Sequence, residues 1–409
     1  MAHLRGRGTL SGDVWDKVHA FRAADEARKE GLYPYFRPFD LNDGPEALLD
    51  GKRVTMFGSN NYLGLTTHPR VRDASIDAIR RFGTSMTGSR FVNGSLRLHD
   101  ELEEKLAEFL GQEAVLVFTT GYQVNLAVGS ALLASEDSVA VLDRGVHASI
   151  YDGVRLATSA GGRLVRFRHG SAASLARALD RLADTDAAMV IVDGVFSAEG
   201  DVAPLNELVP VARERGARFF VDDAHGLGVL GPDGRGTAHH FGVENEVDLI
   251  GGTFSKSFAS VGGYLAGDRK VLDYVRHFAP SFMFAASGSP ASLAAAMAAL
   301  EVVQEEPWRI EQLRENYGYM ARELTGLGFE IGPTASAVIP IYVRDDERTL
   351  GMWRALLEEH QVYTNPFISP GVLPRHALLR TSYMATHERE HLDRGLDALA
   401  TVGKQFGLI

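Results

Sequence analysis

RFFVDDAHGLGVLG (218–231) opens as a short β-rich apolar run, ends in aspartate, and passes through His225 into a glycine-rich turn. One strand that stops on acidic and imidazole side chains says little by itself, so the neighbouring segments decide how it is read. AVLVF (114–118), SVAVLD (138–143), AMVIVD (188–193) and DLIGGT (248–253) are runs of the same kind, and two of these also end in aspartate. Helical stretches separate them. Residues 114–265 therefore read as a mostly parallel sheet covered by helices on both faces, an α/β fold. In such sheets ligands collect beyond the carboxyl ends of the strands, which makes the polar residues there site candidates without naming the ligand.

Ahead of this region, LRLHDELEEKLAEFLG carries Leu98, Leu102, Leu106 and Phe109 at helical spacing, with Ser95 as a cap and Gly111 as a stop. That stripe reads as core. Beyond Pro290 the pattern changes to helices over 290–304, 311–327, 348–360 and 388–402 around two strands, AVIPIYV and ALLRTSYM. The expected division is an N-terminal segment (1–60), a large domain (61–290) and a smaller C-terminal α/β domain (291–409).

The chain has 409 residues, 45% of them apolar and 23% charged, which is an ordinary soluble composition. A net charge of -11 gives no electrostatic reason to expect nucleic acid or an anionic membrane as a partner. Without cysteine there is no disulfide framework, thiol nucleophile or thiolate metal site. MAHLRGRGTLSGDVWD places charges and glycine where an export signal needs an unbroken apolar stretch, so the expected location is the cytoplasm. The low-charge stretch SFMFAASGSPASLAAAMAAL (281–300) has the length of a membrane span, but its small residues and central Pro290 favour a loop entering a buried helix.

Three segments carry chemistry. GGTFSKSFASVGGY (251–264) sets Lys256 among small residues at the end of a strand, where desolvation favours the neutral amine that a Schiff base needs and small neighbours leave room for a ring. A surface lysine in a flexible turn fits that segment as well. Segment 218–231 offers an aspartate at a strand end followed three residues later by His225, and a cofactor with a pyridine ring would need such a carboxylate against its ring nitrogen to keep the ring protonated and electron-withdrawing. A metal-binding Asp-Asp-His is the competing reading, weakened because no further ligand stands at suitable spacing. FTTGYQVN (118–125) turns from strand to helix through Gly121, where free amides can cradle a phosphate, although many such turns look alike.

The pieces NNYLGL, GSRFVNG, TTGYQ, DRGVHAS, VFSAEGD, VDDAHGLG, TFSK and LLRTSYMATH occur together and in this order. From about Gly31 onward the chain resembles the α-oxoamine synthases. These are fold-type I, aspartate aminotransferase-like pyridoxal 5'-phosphate (PLP) enzymes, with a large domain built on a mostly parallel seven-stranded sheet and a smaller C-terminal domain. They condense an amino acid with an acyl-CoA and release carbon dioxide. The resemblance implies that Lys256 is the Schiff-base lysine, Asp222 the partner of the pyridine nitrogen, His225 a neighbour of the ring hydroxyl and His147 the residue stacked on the ring. It assigns amides of Gly121 and Tyr122 and hydroxyls of Thr253 and Ser197 to the phosphate and ring. Asn60 is placed near the substrate and Arg380 at the amino-acid carboxylate, for which a planar guanidinium is well shaped.

GLYPYFRP, MFGSNNYLGLTTHPRV and GSRFVNGSLRLHDELE are most similar to the soluble bacterial serine palmitoyltransferase branch, which joins L-serine to palmitoyl-CoA and gives 3-ketosphinganine, coenzyme A and carbon dioxide. Alanine with a pimeloyl thioester, glycine with acetyl-CoA, or an acyl group loaded from a carrier protein are the alternatives. Two positions depart from the pattern. Asp193 stands where glutamate is usual, and Ala285 stands where a hydroxyl is expected beside a second subunit's phosphate, leaving Ser287 or nothing in that place. The resemblance also implies a homodimer. A non-catalytic PLP-fold scaffold is the reading from another class, set back by the presence of Lys256, Asp222, His147 and Arg380; a PLP-sensing regulator would need a DNA-binding module that is not visible before Gly31.

Overall fold

The computed structural model describes residues 12–409; residues 1–11, which carry most of the reading of the chain start, lie outside the described residues. The first strands are β1 (Leu41–Asp43), β2 (Glu46–Leu49) and β3 (Lys52–Met56). The main sheet follows: β4 (Ala114–Phe118), β5 (Ser138–Asp143), β6 (Arg163–Phe167), β7 (Ala187–Asp193), β8 (Arg218–Asp222), β9 (Leu249–Thr253) and β10 (Gly263–Gly267). Their order across the sheet is β4-β10-β9-β8-β7-β5-β6. The pairs β6/β5, β5/β7, β7/β8 and β8/β9 are parallel, and β10 is antiparallel to both β9 and β4. This is the mostly parallel seven-stranded sheet the resemblance implied; the five strands read from the apolar runs have limits within a residue of those expected, while β6 and β10 were not read from the sequence.

The runs are apolar throughout because both faces of the sheet are covered. Val115, Val117, Val139, Val141, Val190, Val192 and Val221 pack into one core. The alternate residues Leu116, Phe118, Ala140, Leu142, Ile191 and Phe220 pack into another. Side chains that alternate along a strand thus divide between two helix layers. On the second face the helices Gly121–Leu132 and Ala148–Ser159 meet through glycine: a Cβ on Gly129 would lie 2.1 Å from the Gly153 carbonyl oxygen, and one on Gly153 would lie 2.2 Å from that of Asn125. Only glycine at both positions permits that approach.

The remaining strands are β11 (Val338–Tyr342), β12 (Val362–Tyr363), β13 (Asn365–Phe367) and β14 (Leu378–Ser382). β11, β14 and β13 form an antiparallel sheet, while β12 pairs in parallel with β3 and so ties the N-terminal strands to the C-terminal region. Val54, Met56 and Phe57 share a third core with Ile339, Trp353, Leu379 and Leu399.

The helix Arg97–Leu110 buries Leu98, Leu102, Leu106 and Phe109 and ends at Gly111 with φ 64°, as read from the sequence. The expected Ser95 cap is corrected. His99 Nδ1 accepts the Leu96 N–H at 3.0 Å, while the Ser95 hydroxyl donates to the Arg90 carbonyl. Residues 281–300 run from the end of the short helix Pro280–Met283 through a loop into the buried helix Pro290–Glu305. Among the described residues no helix is long and apolar enough to cross a membrane.

Candidate active site

The carboxyl ends of β7, β8 and β9 supply one wall of a cavity of about 440 Å³. Asp193 pairs in register with Asp222, and Asp222 with Gly251, so the two carboxylates stand side by side on one face. Asp143, which also ends a strand, turns to the opposite side and holds the amides of Gly145 and Gly170. Asp223, one residue past Asp222, accepts both the N–H and the hydroxyl of Thr237 and so closes the turn after β8. Of the aspartates that ended the apolar runs, only Asp193 and Asp222 therefore face this cavity.

Every residue assigned a role from the sequence lines it: Asn60, Gly121, Tyr122, His147, Ser197, Asp222, His225, Thr253, Lys256 and Arg380. Burial lowers the Lys256 amine to about 8, opposed by attraction to Asp222. A lysine placed this way is far nearer the neutral form than one in water, which excludes the reading of a surface lysine. Burial lowers His147, and it holds His225 well below the usual histidine range with help from Lys256 and Arg380. Asp193 is pushed well above the usual carboxylate range by burial and then by Asp222 beside it.

The helix Gly121–Leu132 begins at the cavity. Thr120 Oγ1 accepts from the Gln123 amide and Gln123 accepts from the Thr120 amide, a reciprocal cap. Gly121 and Tyr122 occupy the first helical positions, whose amides have no acceptor inside the helix. A Cβ on Gly121 would sit 2.8 Å from that of Thr253, so a bare backbone is required where helix and β9 meet. Thr253 donates its hydroxyl to the Gly262 carbonyl at 2.7 Å, and Ser255 lies 2.9 Å from it with its own hydroxyl.

The opposite wall joins distant segments. Arg380 on β14 donates from Nε to the Ser197 carbonyl at 2.6 Å and from Nη2 to Asn60 Oδ1 at 2.8 Å and the Tyr62 hydroxyl at 3.3 Å. A bidentate grip on a substrate carboxylate thus has Nη1 at its disposal and requires Asn60 to release Nη2. Tyr62 in turn lies 2.7 Å from His225 Nδ1, linking the guanidinium to the imidazole.

Tyr62, Asn125, Ser149 and Ser255 were not singled out by sequence reasoning. Tyr62 lay inside NNYLGL and Asn125 at the end of FTTGYQVN; what marks Tyr62, Asn125 and Ser149 is burial with polar partners, which appears only when the chain folds, while Ser255 is exposed at the cavity. The shorter Asp193 accepts the His147 backbone N–H at 3.1 Å, so it holds the loop that carries His147. Ser287 has its hydroxyl buried without a partner in a small cavity that it lines with Arg90, His99 and Ala285.

A desolvated lysine, a strand-end carboxylate and a helix N-terminus around one cavity define a class of protein. The chain belongs to the aminotransferase class I and II family, whose model matches residues 52–399. It is 44% identical over 394 residues to a serine palmitoyltransferase of Sphingobacterium spiritivorum, covering 96% of this chain and 98% of the relative. It is 38% identical over 386 residues to an 8-amino-7-oxononanoate synthase of Thermoanaerobacter pseudethanolicus, covering 94% and 96%. A solved structure described as SPT with a PLP internal aldimine superposes with a TM-score of 0.92 at 34% identity, covering 97% of this chain and all of that one. The α-oxoamine synthase resemblance read from the ordered motifs is borne out.

Proposed function

We propose that this chain is a PLP-dependent acyltransferase that condenses L-serine with a long-chain acyl-CoA, palmitoyl-CoA above all, to give 3-ketosphinganine, coenzyme A and carbon dioxide. The observation that carries the reading is Lys256, half-buried with its amine desolvated and lowered to about 8, in one cavity with Asp222, His147 and Arg380. The donor set fits the cofactor. Lys256 would hold its carbonyl carbon, Asp222 would face the ring nitrogen, and His147 would lie against the ring with His225 toward its hydroxyl. The amides of Gly121 and Tyr122 and the hydroxyls of Thr253, Ser255 and Ser197 would hold the phosphate and ring substituents. When bound, PLP supplies an electron sink for the negative charge that develops at the amino-acid α-carbon.

The protein's own part is positioning and proton transfer. Arg380 orients the substrate carboxylate, with Asn60 yielding Nη2 as it arrives. The Lys256 amine, neutral in an appreciable fraction near neutrality, takes the α-proton as general base. Asp222 stays beside the ring nitrogen and holds its proton there. A second copy covering the exposed Val261 would keep bulk water from the carbanionic carbon before it meets the thioester.

The reading of the donor as long-chain acyl-CoA is supported by the relatives named serine palmitoyltransferase. Alanine with a pimeloyl thioester is the second reading, favoured by relatives named 8-amino-7-oxononanoate synthase. The division into 1–60, 61–290 and 291–409, a cytoplasmic location and a homodimer belong to the same proposal. Val261, 59% exposed at the cavity, supports a second copy covering the site.

The test is a visible-absorbance titration of PLP-loaded protein with serine, alanine, glycine and threonine, followed by acyl-CoAs of increasing length. Serine alone shifting the cofactor band at low concentration, with a long-chain thioester then releasing coenzyme A, is the expected result. Preference for alanine moves the assignment to the second reading. Sedimentation of an active monomer would overturn the dimer.

A further inference from the structure

We propose that Asn125 is a positioning residue that acts through Ser149 to set which ring nitrogen of His147 carries the proton, while its amide holds the Asp222 carboxylate. The inference rests on the reading of His147 and Asp222 as the residues that flank PLP.

Asn125 lies in the first turns of the helix Gly121–Leu132 and is 4% exposed. Its Nδ2 is 2.6 Å from Asp222 Oδ2 and 2.8 Å from the Ser149 hydroxyl. Turning the amide over would set its carbonyl oxygen against a carboxylate oxygen at that separation, two acceptors with no proton between them, so the nitrogen faces Asp222. Both amide protons are then committed, one to each neighbour. The price of this orientation is visible at the other end of the group, where Oδ1 is buried without a partner.

The direction of the remaining bonds follows. Because the Ser149 hydroxyl oxygen accepts from Asn125, its own proton is available to His147 Nδ1, 2.7 Å away. The Ser149 backbone N–H donates to the same nitrogen at 3.2 Å. A ring nitrogen that receives two donors carries no proton, so a neutral His147 bears its proton on Nε2 and offers a donor there. Burial lowers His147 from the usual histidine range, in keeping with a neutral ring. The glycine contact between Gly129 and Gly153 brings the two helices close enough for the amide to reach the serine. The chain Asp222, Asn125, Ser149, His147 thus couples the position of the carboxylate to the donor pattern of the imidazole. Neither Asn125 nor Ser149 need touch the reacting atoms to do this.

The experiment is two-bond proton–nitrogen correlation NMR on protein labelled with ¹⁵N-histidine, in cofactor-free and PLP-loaded forms, with the His147 signals identified by their loss in His147→Asn. The wild type is expected to show an unprotonated Nδ1 and a protonated Nε2. Ser149→Ala should move the Nδ1 resonance toward that of an unbonded ring nitrogen, Ser149→Thr should restore it, and Asn125→Ala should give a mixture of tautomers. Release of PLP from Asn125→Ala should be about tenfold faster, the effect of losing one hydrogen bond to a charged group. A proton on Nδ1 in the wild type overturns the proposal, as does an unchanged tautomer and an unchanged release rate in both Ser149→Ala and Asn125→Ala. Should Asn125→Ala fail to fold, the wild-type spectrum and the Ser149 pair still decide. If the protein takes up no PLP, the cofactor reading fails, while the cofactor-free spectra still test the tautomer.

Discussion

The two walls of the cavity are built differently. On one side Asp193 and Asp222 stand at the ends of adjacent strands, their spacing set by the parallel ladder of β7, β8 and β9, and Lys256 sits in the turn that follows β9. On the other, Arg380 reaches Asn60, Tyr62 and Ser197 across 320, 318 and 183 residues of chain. Tyr62 sits in the core beneath the main sheet, while Leu379 beside Arg380 belongs to the core of the C-terminal strands. The first wall is as rigid as its hydrogen-bond register; the second is only as well placed as the packing of two cores against each other. If, as proposed, cofactor chemistry falls on the first and recognition of the amino acid on the second, damage to one should leave a signature distinct from damage to the other.

The strongest way to break that division is Lys256→Ala. Loss of the amine proposed as Schiff-base partner and general base should reduce turnover by about a thousandfold or more, while noncovalent PLP binding persists. Turnover near the wild-type level would remove Lys256 from the chemistry. Arg380→Lys should act on the other wall alone. Replacing the planar fork by a point charge should cost about tenfold to a hundredfold in kcat/KM for serine, mainly through KM, with the PLP release rate unchanged. Equal losses in cofactor retention would show that the walls are not separable.

Tyr62→Phe sharpens the comparison, because its hydroxyl joins Arg380 on one wall to His225 on the other. Removing one buried hydrogen-bonding hydroxyl should cost about 1–2 kcal/mol, roughly fivefold to thirtyfold, divided between serine KM and PLP release. A loss confined to KM would place Tyr62 with the substrate wall only.

The smallest effect concerns the rim outside the strand wall. His169 bonds Asp143 at 2.9 Å and Asp201 at 2.8 Å, and these carboxylates raise it from 6.5 to about 10. A histidine raised on folding contributes stability that is complete below the unfolded value of 6.5 and is lost as pH rises toward 10. With 40% of the side chain exposed, solvent screens much of that contribution. Urea midpoints should therefore fall modestly between pH 6.5 and 10 in the wild type and less so in His169→Gln. Parallel curves for the two proteins would show that the triad carries no net stabilisation.

Much of the first wall was legible in the chain. Apolar runs ending in Asp143, Asp193 and Asp222 follow from the need to bury both faces of a parallel sheet and expose its carboxyl ends. Lys256 among small residues after β9 followed from local composition. The runs could not reveal that Asp143 and Asp223 turn away while Asp193 and Asp222 share a face, because register between strands is a long-range property. Nor could a local cap rule foresee that His99 rather than Ser95 closes its helix, since that choice depends on the Arg90 carbonyl occupying the serine.

The second wall was legible only through motif resemblance. No spacing joins Asn60, Tyr62 and Ser197 to Arg380, because nothing local records which side chains two cores will bring together. Five strands of the main sheet and the helices between them were legible in the sequence alone, since burial periodicity and strand ends are local consequences of which residues avoid water; β6 and β10 were not read, and the seven-stranded sheet and the pairing of Lys256 with Asp222 came from motif resemblance. The facing of Asp193 and Asp222, the restraint of Arg380 by Asn60 and Tyr62, and the line from Asn125 through Ser149 to His147 were decided by tertiary structure. Each depends on hydrogen-bond geometry over a few ångströms between segments far apart in the chain, and such geometry exists only after the cores have packed.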